Sequence, residues 1–177
     1  MTSFARRVIG AIRLDPRVYE EVEASCAATP QAIVIVLLSS VTGGIGLLDL
    51  QAPNLPAVVM HTAGALIGWV AWAALTYSIG TRVLPEPQTR ADTGELLRTL
   101  AFASSPGLLR IFGLLPLLGP GLYVVASMWM LVAMVVAVRQ ALDYRGTGRA
   151  IAVCLVGWAL SLAIAALVGN IFPRTVS

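Results

Sequence analysis

A chain of 177 residues that is 58% hydrophobic and 12% charged, with a mean hydropathy of +0.84, is not an ordinary soluble domain; those carry about 25% charged residues. The net charge of +3 comes from twelve arginines against nine acids, and the near balance on the inner side excludes a nucleic-acid footprint. One histidine, His61, and two cysteines, Cys26 and Cys154, leave zinc or haem almost no ligands, so no metal or other cofactor is expected.

The chain opens on an expected amphipathic helix over residues 3–14, with Phe4, Ala5, Val8, Ile9 and Ile12 on one face. Arg6 and Arg13 lie opposite and Arg7 flanks them. Asp15 before Pro16 is a capping side chain and a first-turn proline, which restarts a helix over roughly 16–28. Val18, Tyr19, Val22 and Cys26 form its apolar stripe. Arg17, Glu20, Glu21 and Glu23 take the other side and form a candidate surface for a cytoplasmic protein partner, with a solvated helix face as the plain alternative. This pair is expected to lie on the inner membrane surface or to fold back over the bundle. Residues 1–30 are thus read as a cytoplasmic amphipathic segment and 31–177 as a transmembrane domain.

Five apolar segments come next, at about 32–48, 57–79, 94–118, 121–138 and 150–172. Each is near the ~20 residues that cross the hydrocarbon core. The fold class expected is therefore all-α, an integral membrane bundle of five transmembrane helices preceded by one or two short amphipathic helices. The third segment carries Arg98, Ser104, Ser105, Pro106, Arg110 and Pro116, yet Asp92 and Glu95 mark its start as a capping pair. Arginines 6, 7, 13, 17, 82, 90, 98, 139, 145 and 149 fall in the N-terminal segment and beside the loops after spans two and four. The positive-inside rule then places the N-terminus in the cytoplasm and the C-terminus outside the cell membrane.

Within the spans, Arg110 with Ser104 and Ser105 is the candidate polar site. An arginine central in a span costs ~2.5–3.5 kcal/mol on insertion scales. It is expected to snorkel toward the outer end of its helix, and an anion or lipid-headgroup contact is the alternative. Ser104-Ser105-Pro106 reads as structural, the hydroxyls compensating a carbonyl freed by the proline. Gly157, Ser161, Ala165 and Gly169 recur every four residues in span five, and Gly64 and Gly68 do so in span two. Such small-residue stripes let helices approach closely, within the bundle or in a dimer. Gly43, Gly44 and Gly46 are packing glycines or a kink rather than a phosphate loop. The Trp69/Trp72 pair and Met128, Met130 and Met134 read as bundle packing. No residue set forms a nucleophile system, so no enzyme is expected.

The pattern resembles the YIP-domain (Ypt-interacting protein) membrane proteins in their short prokaryotic form. The resemblance is carried by Arg13-Leu14-Asp15-Pro16 with Tyr19-Glu20-Glu21-Val22-Glu23-Ala24, by Gly43-Gly44-Ile45-Gly46-Leu47, and by Gly94-Glu95-Leu96-Leu97-Arg98-Thr99-Leu100-Ala101-Phe102-Ala103 with Pro106. Val138-Arg139-Gln140-Ala141-Leu142-Asp143-Tyr144 completes it. The resemblance implies a five-span bundle with a cytoplasmic N-terminus, and family members in vesicle traffic that bind Rab-type GTPases and form hetero-oligomers. It supplies no active-site residues. The function expected is a non-enzymatic scaffold for protein partners or membrane lipid, as a possible homo- or hetero-oligomer. The alternative is a small-solute or lipid transporter, which requires a polar cavity joining Ser39, Ser104 or Ser127 to Arg110.

Overall fold

The computed structural model describes residues 3–48, 54–89 and 92–171, except the side chains of 162 and 164–171. The described residues form seven α-helices and no strand. Helices α1 (Ser3–Ile12) and α2 (Pro16–Ala24) precede α3 (Thr29–Ile45) and α4 (Leu55–Ser78). Then come α5 (Thr93–Ala103), α6 (Gly119–Ala141) and α7 (Thr147–Ile171). Three helical stretches are long and apolar enough to cross a membrane: Cys26–Ile45, Leu55–Val83 and Gly119–Ala141. A shorter apolar stretch, Thr147–Ser161, opens α7.

The helix starts obey local chemistry. Asp15 accepts from the Arg17 amide at 3.1 Å and Pro16 opens α2. Asp92 accepts from the Gly94 amide at 2.8 Å, while Glu95 reaches back to the Asp92 amide at 3.1 Å, a complete capping box. The second helix ends four residues sooner than expected, because Ser25 is extended and Cys26–Ala28 form a 3₁₀ turn into α3. Cys26 therefore leaves the apolar stripe and is exposed, while Val18, Tyr19 and Val22 are buried as read.

The third apolar segment is not one helix. It breaks at Ser104 and continues as a 3₁₀ segment, Ser105–Leu114. Pro106 has no amide to give and its ring clashes with the carbonyl one turn back, so the α pattern cannot pass through it. The chain tightens instead: Ser104 bonds back to Ala101 at 3.0 Å and Gly107 to Ser104 at 2.9 Å. The Ser104 hydroxyl donates to the Leu100 carbonyl at 3.3 Å, not to the Phe102 carbonyl four residues before Pro106.

Helix α1 is turned by about one position from its sequence reading. Arg7 (9% exposed) and Ala11 face inward, whereas Ile9 of the expected apolar face is exposed. Arg7 is tolerated there because Glu21 and Gln31 accept from it at 3.0 and 2.9 Å. Both N-terminal helices fold onto the bundle, α2 against α5 and α6 and α1 against α5 and the 3₁₀ segment. Trp129 on α6 donates to the Ile12 carbonyl at 2.6 Å. Ala11, Tyr19 and Val22 share one core with Leu96, Leu100, Phe102, Val138 and Leu142, so a boundary near residue 30 does not separate two cores.

Contacts at the two ends set the direction of each helix. At one end Arg98 reaches the α2 carbonyls, Gln140 reaches Glu20 at 2.8 Å, and Arg149 pairs with Glu86 at 3.5 Å. At the other end the last turn of α3, the far part of the 3₁₀ segment and the start of α6 meet through Gly46, Gly113 and Gly119. The long helices thus alternate in direction, and Arg98, Arg139, Arg145 and Arg149 lie at the first end.

Candidate functional site

The 3₁₀ segment lies unusually close to α3, and glycines make that possible. A Cβ on Gly46 would collide with the Arg110 carbonyl oxygen, and one on Gly113 with the Gly46 carbonyl oxygen. Gly43 leaves room for a guanidinium: its Cβ would stand 3.0 Å from the Arg110 Cζ. Arg110 fills this seat. Its Nη2 donates to the Ser39 carbonyl at 2.7 Å and to the Ser39 hydroxyl at 3.1 Å, and its Nε to the Gly107 carbonyl at 3.2 Å. The guanidinium also stands 5.8 Å from the Tyr123 ring centroid. The Thr42 hydroxyl, 3.0 Å from both the Ser39 and Gly107 carbonyls, ties the same two stretches of backbone together. Snorkelling is therefore not what this arginine does. Its charge is held inward by carbonyls.

Arg110 borders a cavity of about 410 Å³ lined from α3, α4, α6 and α7 and from the junction of α5 with the 3₁₀ segment. Ser39 and Ser40 come from α3, Gly68, Trp69 and Trp72 from α4, and Ser104 from the end of α5. Met130, Leu131 and Met134 of α6 and Trp158 and Ser161 of α7 complete the lining of this partly open space. Ser39, Ser104 and Arg110 are thus brought together, while Ser127 turns away and bonds the Tyr123 carbonyl at 2.8 Å. Ser105 is buried beside the site without lining it, and its hydroxyl lacks a partner among the described residues. So do the indole N–H groups of Trp69 and Trp72 and the Thr76 hydroxyl. No carboxylate of the described residues lies within 4.0 Å of Arg110; their ion pairs are Arg6–Glu21, Arg7–Glu21 and Arg149–Glu86. Val36 and Trp69 also line a second groove of about 370 Å³ between α3, α4 and α5, so they form the wall between the two.

The small-residue stripes divide. A Cβ on Gly157 would touch Trp72 Nε1 at 3.3 Å and the Thr76 hydroxyl at 3.6 Å, so α7 packs on α4 within the chain. Ser161 lines the cavity and bonds the Gly157 carbonyl at 2.8 Å, and Ala165 and Gly169 lie outside the residues whose side chains are described. Gly64 and Gly68 meet nothing within 4 Å, so they pack against no other helix of this chain. Gly68 opens the cavity instead.

The acidic face of α2 is largely engaged by the chain itself. Glu21 accepts from Arg6 at 3.0 Å and pairs with Arg7 at 2.9 Å, and Glu20 accepts from Gln140. Arg17 is exposed. Glu23 borders a polar hollow of about 510 Å³ with Glu20, Glu95, Asp143, Arg139 and Arg145. Burial, then Asp143, Glu95 and Glu20, push its carboxyl up to about 7 from 4.5, against the opposing charge of Arg98. Folding thus takes up a proton between those values. Stability in detergent should fall as pH rises from about 4.5 through about 7 and level off above. Glu23→Gln should flatten that part of a melting-temperature profile; a profile unchanged by the substitution would assign the slope elsewhere.

Sequence reading missed the tryptophans as lining residues, and it missed the glycine seat under Arg110. The spacing of Ser39, Thr42, Gly43 and Gly46 on one helix face held the signal, but its counterpart 3₁₀ segment did not announce itself. No family model, curated protein or solved structure matches the chain, so the YIP-domain resemblance rests on its own residues alone.

Proposed function

We propose that this chain is a non-enzymatic, five-span cell-membrane protein with a cytoplasmic N-terminus, whose bundle holds an amphiphilic solute or lipid in the cavity beside Arg110. In this reading α5 and the 3₁₀ segment together make the third crossing. At ~1.5 and ~2.0 Å per residue they are long enough only as a pair. The alternating helix directions and the gathering of arginines at one end support that topology.

One observation carries the choice between holding a ligand and organising partners: Ser39, Ser104 and Arg110 line a single cavity. A scaffold built on small-residue packing has no use for that space. On the α2 face that would receive a partner, Glu20 and Glu21 are already taken by Gln140, Arg6 and Arg7.

Tryptophan fluorescence gives the test. Three of the four tryptophans line the cavity, and Trp72 is 6% exposed. In a Trp129→Phe/Trp158→Phe background in phosphatidylcholine nanodiscs, a chain-brominated amphiphile should quench the remaining indoles saturably. Gly68→Leu, which fills the cavity from a position with open space around it, should remove the saturable part without loss of folded protein. Equal saturable quenching in both would contradict the reading.

A further inference from the structure

We propose that the ligand of this cavity is an amphiphile with a singly charged oxyanion head and an apolar chain, the head seated on Arg110. The inference rests on the cavity reading and adds the ligand's charge. It starts from an unbalanced charge. Arg110 is a permanent cation, and the lining contains no aspartate or glutamate. Its hydrogen bonds go from Nε and Nη2 to neutral oxygens, and Nη1 makes none among the described residues. A guanidinium with spare donors at the edge of a low-dielectric space favours a carboxylate or phosphate oxygen over any neutral group. It equally repels a cationic head.

The rest of the wall suits the chain behind such a head. Trp69, Met130, Leu131, Met134 and Trp158 offer apolar surface. Trp72, 6% exposed, adds the edge of its ring to that apolar surface. A single guanidinium balances one negative charge, so a doubly charged head would carry an uncompensated charge into the bundle. A carboxylate on one acyl chain and a phosphodiester on a bilayer lipid share the required chemistry.

The same quenching assay separates these sources and tests the charge. A chain-brominated fatty acid, the fatty alcohol of equal chain and a brominated phosphatidylglycerol are titrated at a pH where the acid is ionised. The acid should bind about tenfold or more tightly than the alcohol. Arg110→Gln should erase that ratio while the alcohol still binds, and Arg110→Lys should keep part of it. Phosphatidylglycerol matching the acid would identify a bilayer lipid as the source, and acid alone would identify a single-chain solute. Acid and alcohol titrating alike in the Arg110 protein would overturn the proposal, and that comparison needs no change at Arg110. If none of the three gives quenching that Gly68→Leu removes, it is the cavity reading that fails.

Discussion

Gly46→Ala should lower the melting temperature of the detergent-solubilised protein by roughly 2–12 °C, taking ~1–3 kcal/mol for overpacking and ~2–4 °C per kcal/mol. The Cβ it adds meets the backbone carbonyl of Arg110, and a carbonyl in a hydrogen-bonded segment cannot swing aside as a side chain can. The 3₁₀ segment must move away from α3, taking Arg110 off the Ser39 carbonyl it now reaches at 2.7 Å. The same substitution should therefore weaken discrimination between acid and alcohol. Gly64→Ala is the matched control, a helical glycine with nothing within 4 Å. It should leave stability unchanged or raise it by ~0.4–1 kcal/mol through the unfolded chain. Equal effects at both positions would mean that α3 and the 3₁₀ segment are not in close contact.

Arg98→Met should release α2 from the bundle. Arg98 is 8% exposed, and its Nε donates to the Val22 carbonyl at 3.1 Å and its Nη2 to the Glu23 carbonyl. Those are carbonyls of the last turn of α2, which lack partners inside their own helix and carry the negative end of its dipole. Methionine keeps much of the length and loses every donor. Each charge-assisted bond is worth ~1.5–3 kcal/mol, and the abandoned carbonyls sit in a buried layer. Amide hydrogen exchange should quicken across residues 16–24 while α6 keeps its protection. Exchange unchanged in α2 would show that the apolar contacts of Tyr19 and Val22 hold the helix without the cap.

The features legible in the chain before folding are those decided locally. Asp15-Pro16 and Asp92 with Glu95 specify helix starts through atoms two or three residues away, and the structure places both caps where the sequence does. Long apolar runs declare three membrane-length helices for the same reason. The errors fall where a distant partner decides. Arg7 reads as flanking the polar face because nothing nearby reveals that Glu21 and Gln31 will accept from it once α1 folds onto the bundle. Arg110 reads as reaching for the outer end of its helix because snorkelling needs no partner, whereas the Ser39 carbonyl is seventy-one positions away. Pro106 reads as a local break that nearby hydroxyls absorb, yet ten residues change their winding, because the glycine-lined face of α3 rewards the tighter segment.

The site divides along the same line. Ser104 and Arg110 stand out by being polar in an apolar run, a signal carried by each residue alone. That Ser39, Trp69 and Trp72 line one cavity with them depends on how α3 and α4 pack together, which no local pattern records. Gly64 and Gly68 show the converse: their spacing is that of a packing stripe, but the space beside them is open, and one of them opens the cavity.

The most direct test of the central claim is an electron-microscopy map of the protein in lipid nanodiscs, read at Arg110. The expected result is a guanidinium turned inward against Ser39, with elongated density running past Trp69 and Trp72 and ending at hydrogen-bond distance, about 2.7–2.9 Å, from that guanidinium. An Arg110 side chain stretched to the aqueous surface, with α4 and α7 closed over the space beside Trp72, would contradict it.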